Sequence, residues 1–366
     1  MKFTFTRNLL LKSLQQITSA LSGRPMLPIL SNILLKVDAG QLTIACTDLD
    51  IELIASLSLE SPSEDGTVTV SSRKFLDICR GLSNSIPINF MAADDHAIIH
   101  SGHSHFTLAT LPALNFPNIK DWESTVEFSM LQGKLRKLIE STAFSMANHD
   151  VRYFLNGMLF ETYGMTLCAV TTDGHRMAVG TTTLDMSIAN QQVIVPRKGV
   201  IELMRLLNKP DASVTIQIGR AHIRVLVNQF VLTSKLINGR FPDYRRVLPQ
   251  SSDKIMEANC DELHQAFSRA AILSNEKFRG VRLNISNGQL RISTHNLEQE
   301  KAEEFVNVHY QNNDLEIGFN VNYIIDILNT LQCDQVRFSM TDSTASTLVE
   351  DCGRDDVMHV IMPIRL

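Results

Sequence analysis

The sequence predicts an α+β protein made of three homologous domains in tandem, each about 124 residues long. Three observations support this. A glycine followed by a short strand and an Asx residue recurs at Gly40, Gly164 and Gly288, with the same interval of 124 residues each time. An apolar stripe with helical spacing follows each copy, and an alternating strand leading to a proline closes each one. Since solenoid repeats run to about 20–50 residues, copies this long are domains.

The first repeated element is the strand that begins after each glycine. Its alternation of apolar and polar residues is typical of a half-buried strand. The three strands lead to Thr47-Asp48, Thr172-Asp173 and Thr294-His295-Asn296. The shared ending indicates one structural turn, repeated three times.

The second element is an amphipathic helix, because apolar residues recur at i, i+3, i+4 and i+7. The stripes are Phe75, Ile78, Cys79 and Leu82; Val200, Leu203, Met204 and Leu207; and Ile324, Ile327, Leu328 and Leu331. An earlier helix opens each domain, with apolar residues at Leu11 and Leu14, at Leu135 and Leu138, and at Leu263 and Phe267. The pattern predicts two helices and several antiparallel strands per domain.

Each domain ends in an alternating strand, and these strands begin near Phe106, Phe230 and Val357. They run to Phe116-Pro117, Phe241-Pro242 and Met362-Pro363. Polar, turn-forming residues mark the boundaries, most clearly at 249–253. We therefore expect domains at residues 1–125, 126–250 and 251–366.

The composition is that of an ordinary globular protein, with 44% hydrophobic and 20% charged residues. No apolar run approaches the ~18 residues that span a bilayer, and no signal-peptide core is present, so we expect a cytoplasmic protein. His103-Ser104-His105 alternates like a solvated strand and does not indicate a metal site. Without a CxxC pair, the cysteines are expected to be buried free thiols, and they are Cys46, Cys79, Cys168, Cys260, Cys333 and Cys352. We expect no metal and no cofactor.

Asp173, His175 and Arg176 lie beside a glycine and could be taken for a catalytic cluster. No nucleophile or metal-ligand motif accompanies them, and the equivalent positions begin at Asp48 and Asn296 in the other copies. A hydrolase is therefore disfavoured, and we predict that the protein is not an enzyme. A purely structural repeat protein is the other alternative, which the distribution of charge disfavours.

Positive charge is concentrated on predicted helices, although the chain has a net charge of −5. The helices at residues 7–20, 73–82, 132–140 and 197–207 each carry a net charge of +2 by count. Helices that lined one surface would present that charge to phosphates. In the third domain, Asn322 and Asn329 replace the corresponding cations, so contact with nucleic acid should be weaker there.

Several motifs spread over the whole chain resemble the bacterial sliding clamp, the beta subunit of DNA polymerase III. They are Gly23-Arg24-Pro25, Val151-Arg152-Tyr153-Phe154-Leu155-Asn156-Gly157, Thr172-Asp173-Gly174-His175-Arg176, Val195-Pro196-Arg197-Lys198-Gly199, Gly239-Arg240-Phe241-Pro242-Asp243-Tyr244 and Met362-Pro363-Ile364-Arg365-Leu366. The resemblance implies a head-to-tail homodimer that closes a ring around double-stranded DNA. It also implies a processivity factor that binds the replicative polymerase alpha subunit, a clamp loader, and other polymerases and repair proteins.

The resemblance also implies three sets of site residues. The DNA contacts would be Arg24, Arg73, His149, Tyr153 and Phe154. The dimer interface would join Phe106 and Leu108 of one chain to Ile272 and Leu273 of the other. A pocket for partner peptides would be formed by Leu155, Thr172, Gly174, His175, Arg176, Met177, Pro242, Arg246, Val247, Ser346, Val360, Met362, Pro363, Ile364, Arg365 and Leu366.

Overall fold

The computed structural model describes residues 1–21, 27–93, 95–119, 123–249 and 252–365 of the chain. Contacts between residues divide the chain into two compact units. The first unit comprises Met1–Gly133 with Lys198–Leu236, and the second comprises Lys134–Arg197 with Ile237–Leu366. The middle third of the sequence thus contributes strands to both units. Arg24 and Leu366, two of the predicted site residues, lie outside the described residues.

The described residues contain six α-helices, two for each predicted domain, as the sequence predicts. They are α1 (Arg7–Thr18), α2 (Ser72–Gly81), α3 (Gln132–Glu140), α4 (Arg197–Leu206), α5 (Cys260–Ile272) and α6 (Val321–Thr330). The predicted stripes point inward: Phe75, Val200 and Ile324 are all fully buried. Asn259 immediately precedes helix α5, and its side chain accepts a hydrogen bond from the Glu262 amide and caps the helix.

The described residues also form twenty-two β-strands, and every pairing between these strands is antiparallel. In chain order they are β1 (Lys2–Phe5), β2 (Asn32–Asp38), β3 (Gln41–Thr47), β4 (Ile51–Ser58), β5 (Gly66–Ser71), β6 (Ile88–Ala93), β7 (His96–Ser101), β8 (Ser104–Leu111), β9 (Ser124–Leu131), β10 (Gly157–Thr172), β11 (Arg176–Pro196), β12 (Ser213–Gly219), β13 (His222–Val227), β14 (Phe230–Lys235), β15 (Lys254–Asn259), β16 (Gly280–Ser286), β17 (Gln289–His295), β18 (Lys301–Asn307), β19 (Leu315–Asn320), β20 (Gln335–Met340), β21 (Thr347–Asp351) and β22 (Val357–Ile361).

The first unit is organised around one sheet of twelve strands, in the order β1-β6-β7-β8-β5-β2-β3-β4-β14-β13-β12-β9. Phe90 of β6 packs against Phe3 of β1 with ring centroids 4.8 Å apart, and Phe75 of α2 meets the same ring edge-on. Strand β8 pairs with β7 from Ser104 to Ala109, and with β5 only at Thr110 and Leu111. Its first half therefore leaves one backbone edge unpaired within the described part of this unit.

The second unit contains a six-stranded sheet, β10-β11-β22-β21-β20-β15, and a four-stranded sheet, β18-β17-β16-β19. The long hairpin of β10 and β11 places residue 172 opposite residue 177. Phe267 of α5, Ile324 of α6 and Phe319 of β19 belong to one buried core cluster. A second cluster centres on Val170, Met177 and Val360 and lies beneath the candidate site.

Four of the cysteines are buried free thiols, as predicted, whereas Cys333 and Cys352 are partly exposed. Both lie close to the ends of strands, where neighbouring side chains cover them less completely. The described residues contain no cluster of three or more His, Cys, Asp and Glu side chains suited to a metal ion. None of the described helices combines the length and apolarity that a membrane span requires.

Candidate functional site

The turn between β10 and β11 is held by its own side chains. Asp173 Oδ1 accepts hydrogen bonds from the backbone amides of His175 at 2.9 Å and Arg176 at 3.0 Å. Thr172 Oγ1 donates to the carbonyl of Arg176 at 2.7 Å and accepts from the amide of Gly174 at 3.0 Å. These short-range bonds form an Asx turn, which fixes the direction in which β11 departs.

Arg176 connects this turn to two other parts of the second unit. Its Nε lies 3.1 Å from Asp173 Oδ2, and its Nη1 lies 2.5 Å from Asp326 Oδ2 on α6. Its Nη2 donates to the carbonyl of Phe144 at 3.0 Å, and the guanidinium lies 4.5 Å from the centre of the Tyr323 ring. The side chain is only 11% exposed. Arg176 therefore stabilises the turn, and little of its positive charge is available to a ligand.

Gly174 has a backbone conformation that favours glycine, and it lies against the end of the Arg152 side chain. Its φ is +89°, and a Cβ there would lie 2.7 Å from the guanidinium of Arg152. Arg152 donates to the carbonyl of Asp173 and forms two hydrogen bonds with the carboxylate of Asp150. Those bonds from Arg152 hold the pKa of Asp150 at about 2. One side of the turn is thus closed by an arginine that the sequence alone did not assign to the pocket.

Another part of the site is anchored by a buried tyrosine. Tyr244 donates its hydroxyl hydrogen to Glu161 Oε2 at 2.8 Å, and Arg245 donates to the same oxygen at 2.7 Å. Burial favours protonation of Glu161, but hydrogen bonds from Gln192, Tyr244 and Arg245 outweigh it and hold the pKa of Glu161 below its usual value. Burial raises the pKa of Tyr244, so the phenol stays a donor. These hydrogen bonds tie Tyr244 and Arg245 to strand β10, which carries Glu161.

These elements enclose a cavity of about 270 Å³ within the second unit. Ten residues of the predicted pocket line it, namely Leu155, Thr172, Gly174, His175, Arg176, Met177, Pro242, Val247, Val360 and Met362. Four more line it that the prediction did not include: Arg152, Phe154, Phe241 and Tyr244. Arg152, Phe241 and Tyr244 all lie inside motifs that carry the resemblance. Their positions beside predicted pocket residues in those motifs could have identified them.

The remaining predicted pocket residues lie outside this lining. Arg246 points to solvent with its side chain 85% exposed and pairs with Asp243 at 2.9 Å. The C-terminal segment leaves the cavity at Met362, whose amide donates to the carbonyl of His175, and the amide of Ile364 then donates to Gly318. Ile364 and Arg365 border a second groove of about 820 Å³ beside the four-stranded sheet. Neither Ser346 nor Pro363 borders the smaller cavity.

The chemistry of the cavity suits binding better than bond cleavage. Its walls include two methionine side chains, Met177 and Met362, which adapt to varied apolar partners. Both carboxylate oxygens of Asp173 and the guanidinium of Arg176 are engaged in the contacts above, and the His175 ring stacks on Tyr323 at 6.5 Å. The three residues that resembled a catalytic cluster therefore build a turn.

The residues predicted to contact DNA lie in different surroundings. Arg73 is 92% exposed on α2, and its only close acid is Asp77 at 3.9 Å among the described residues. His149 is exposed and adopts a φ of +57°. Tyr153 is 56% exposed, whereas Phe154 is partly buried and lines the cavity, with the two rings edge-on at 5.7 Å.

Some of the cationic side chains on the helices are already paired with groups of the protein itself. Lys198 forms an ion pair with Asp48, and Arg205 pairs with the buried Glu202. Arg7 donates to the backbone carbonyls of Cys79 and Arg80. Part of the positive charge on these helices therefore stabilises the first unit itself, which a count of residues could not show.

The predicted interface residues lie beside two exposed strand edges. Phe106 is partly buried and Leu108 is buried on β8, whose first half has one unpaired edge. Ile272 at the end of α5 is 75% exposed, and Leu273 follows it. Strand β18, which pairs only with β17 among the described strands, carries Phe305 with 57% exposure. Phe305 was not predicted, because an exposed apolar residue looks like a core residue in sequence.

Three family models match the chain in succession. They are the N-terminal domain of the DNA polymerase III beta subunit over residues 1–120, the central domain over 129–243 and the C-terminal domain over 245–365. The chain belongs to the beta sliding-clamp family. The predicted resemblance and the prediction of three tandem clamp domains are therefore confirmed, and so is the prediction that the protein is not an enzyme.

Individual sliding clamps resemble the chain over their entire length. The beta sliding clamp of Vibrio cholerae is 57% identical and that of Escherichia coli K12 is 54% identical, with both chains covered completely in each comparison. A crystal structure of the Pseudomonas aeruginosa DNA polymerase sliding clamp with ligand superposes with a TM-score of 0.98 at 47% identity, again over all of both chains. Another structure of that clamp, bound to griselimycin, gives a TM-score of 0.97 at 48% identity with full coverage of both chains.

Proposed function

We propose that the chain is a DNA polymerase processivity factor. Two copies form a ring that encircles duplex DNA, slides along it, and holds the replicative polymerase through a peptide pocket. The observation that carries the proposal is the 270 Å³ cavity of the second unit, built from sequence motifs typical of sliding clamps. The three domains proposed for each chain are residues 1–125, 126–250 and 251–366. The ring would act in the cytoplasm.

The cavity suits a short peptide with leucine and phenylalanine anchors. Leu155, Met177 and Val360 supply a buried apolar floor, and Met362 at the rim is 40% exposed. Burial of one such anchor stabilises a complex by about 1.5–3 kcal/mol. Two or three anchors, less the cost of association, give affinities near the micromolar range, which lets partners exchange.

The C-terminal segment is the part of this pocket that can be tested most cleanly. Strand β22 ends at Ile361, so removal of residues 362–366 leaves the sheet intact. We expect this deletion, and also Met362→Asp, to abolish binding of a fluorescent clamp-binding peptide while the dimer persists. The matched control is Met186→Asp, at a methionine of the same unit that is 54% exposed and lies outside the cavity. Unchanged peptide binding after the deletion would refute the pocket.

Ring closure would join the free edge of β8 in one copy to the free edge of β18 in the other. Pairing of the two edges would remove both rows of unpaired backbone groups from solvent. Phe106 and Leu108 would meet Ile272 and Leu273 there, and the exposed Phe305 fits the same contact. The interface would thus combine backbone hydrogen bonds with apolar burial.

Sliding requires contacts that hold DNA without fixing a position on it. Phosphate contacts carry no base sequence, so cations such as Arg24 and Arg73 would guide the duplex without stopping it. Tyr153 could stack on sugars or unpaired bases from its exposed position, with Phe154 packed against it, and the exposed His149 would add a further contact. Because the closed ring would surround the duplex, the protein would stay on DNA even though each of these contacts is weak.

The tether acts through effective concentration. A polymerase alpha subunit bound to a ring on DNA stays near its template after each release, so modest local affinity yields processive synthesis. The same pocket would receive the clamp loader, other polymerases and repair proteins in turn. No cofactor is needed for this role.

A further inference from the structure

Strand pairing joins successive domains of the chain at two places, and both junctions have the same register. Strand β14 pairs with β4 in the first unit, with Val231 opposite Ile54. Strand β22 pairs with β11 in the second unit, with Met358 opposite Val179. An equivalent backbone hydrogen bond ends each junction: the Lys235 amide donates to the Asp50 carbonyl at 2.8 Å, and the Met362 amide to the His175 carbonyl at 2.9 Å. The two junctions are therefore built in the same way.

Closure of the proposed ring would create a third junction of this kind, between β8 of one copy and β18 of the other. Strand β8 corresponds to β14, because each follows a two-residue turn. The first residue of each turn has a left-handed φ, +58° at Gly102 and +54° at Asn228. Ser104 is the first residue after its turn, as Phe230 is after the other. His105 therefore corresponds to Val231.

Strand β18 corresponds to β4 and β11, because each begins after a turn that a cross-strand pair closes. The three pairs are Thr47 with Glu52, Thr172 with Met177, and His295 with Lys301. Counted from the second residue of each pair, Ile54, Val179 and Glu303 hold the same position. The shared register therefore places His105 of one copy directly opposite Glu303 of the other.

This register agrees with the faces of the two sheets. His105 and Glu303 are exposed, whereas Leu108 and Val306 on the same strands are buried. Because side chains alternate along a strand, the exposed and the buried residue of each strand point to opposite faces. The junction would thus continue the buried faces of both sheets and bring the two exposed faces together.

The chemistry of the opposed pair differs from that of the other junctions. Within the chain this position holds two apolar side chains, whereas between copies it would hold an imidazole and a carboxylate. Glu303 Oε1 accepts a hydrogen bond from Arg291 at 2.5 Å, and both side chains are half-exposed. Within the described residues Oε2 has no such partner, so it is available to His105. Opposite charges directly across a sheet stabilise the pairing.

The fixed charges on these exposed faces are balanced, so distance decides the effect of protonation. The carboxylates of Glu303 and Asp95 are matched by the cations of Arg291 and Lys301. In the derived register Glu303 lies directly across from His105, at about 5 Å between Cβ atoms, whereas Lys301 lies on the diagonal at about 7–8 Å. The nearest charge to His105 is therefore negative.

The other titratable groups near His105 are imidazoles. The His100 ring lies 4.3 Å from that of His105 across β7 and β8, and two protonated rings at that distance would repel each other. The others are His96, which contacts Asp95 at 2.5 Å, His103 in the turn, and His295 beside Lys301 in the other copy. On the helix side of β18, Glu304 is already paired with Arg269.

We propose, on the basis of the proposed ring, that His105 of one copy pairs with Glu303 of the other and that the dimer tightens when this histidine takes up a proton. A histidine that gains a carboxylate partner on association binds its proton more tightly in the dimer than in the monomer. Dimerisation is then favoured as the pH falls from about 8 to about 6, and this advantage is lost as the pH rises again. A head-to-tail dimer contains two such junctions, so about threefold for each contact gives about tenfold in the dissociation constant.

The test measures the dimer dissociation constant of the full-length protein at about pH 8 and about pH 6, at constant ionic strength, by dilution of a fluorescently labelled sample. We expect the wild type to dimerise about tenfold more tightly at the lower pH, and both His105→Gln and Glu303→Gln to remove most of that change. His105→Arg, which is charged at both pH values, should dimerise tightly at both. The control is His309→Gln, because His309 is exposed and lies beyond the end of β18. Its pH response should equal that of the wild type.

Two results would overturn the contact while leaving the ring in place. One is a dimer whose dissociation constant does not fall at the lower pH. The other is an equal fall in the wild type and in His105→Gln, which would reflect general loss of negative charge from a chain of net charge −5. A protein that stayed monomeric at every pH and concentration would instead contradict both the contact and the proposed ring.

Discussion

Replacement of Arg176 by alanine removes the side chain that ties the turn of the peptide pocket to α6. Arg176 contacts Asp173, Asp326 and the carbonyl of Phe144, and it lies over the ring of Tyr323. Its removal leaves the carboxylate of Asp173, which is 18% exposed, without its cation. We expect Arg176→Ala to destabilise the second unit and to weaken binding at the pocket.

The magnitude follows from burial. Breaking a buried ion pair by removing one partner costs about 3–5 kcal/mol. The carboxylate of Asp326 is 42% exposed and regains water, so the lower end applies and we expect about 3 kcal/mol. For a unit of this size each kcal/mol lowers the melting temperature by about 2–4 °C, which gives a shift of about 6–12 °C.

The matched control is Arg246→Ala, because Arg246 also pairs with an aspartate three residues earlier but is 85% exposed. An exposed pair contributes about 1 kcal/mol or less, so its shift should be small. Differential scanning calorimetry measures both shifts, and a fluorescent peptide titration measures the pocket. Equal shifts for the two variants would show that Arg176 does not support the site as described.

Three further predictions concern Gly174, His359 and Leu273. Gly174→Ala should lower the melting temperature and weaken peptide binding, because a residue with a side chain is strained by about 1–3 kcal/mol at a φ of +89° and its Cβ would displace the Arg152 guanidinium; unchanged peptide affinity would contradict this. His359 is neutral in the fold with a pKa of about 3 and about 6.5 when unfolded, so its contribution to stability is complete above pH 6.5 and is lost as the pH falls. Between pH 6.5 and 5 the wild type should lose up to about 2 kcal/mol more than His359→Leu, and parallel melting curves would exclude this effect. Leu273→Asp should yield monomers in analytical ultracentrifugation, and a dimer at low micromolar concentration would sink the interface assignment.

The fold class could be predicted from the sequence because the same pattern of strand and helix recurs three times along the chain. The stripes that start at Phe75, Val200 and Ile324 predicted helices correctly, because burial of one face imposes a spacing that survives in the sequence. The division into two compact units could not be read this way. Strands from the middle third of the chain join both units, and no local pattern records which strands will pair.

The candidate site was only partly readable for a related reason. Met177 and Val360 lie in motifs and line the cavity as expected. The role of Arg176 depends on Asp326, which is 150 residues away in the chain, so its support of the turn has no local signature. The role of Lys198 also has no local signature. Its charge suggested a DNA-facing surface, but in the structure it pairs with Asp48.

Topological linkage to DNA is the central claim, and one measurement addresses it directly. The protein is loaded onto nicked circular DNA by a clamp loader, the loader is removed, and half of the sample is linearised with a restriction enzyme. Gel filtration then measures how much protein remains with the DNA. Retention on the circle and loss from the linear molecule is the result we predict. Equal retention on both would show ordinary binding to the duplex and would contradict the account.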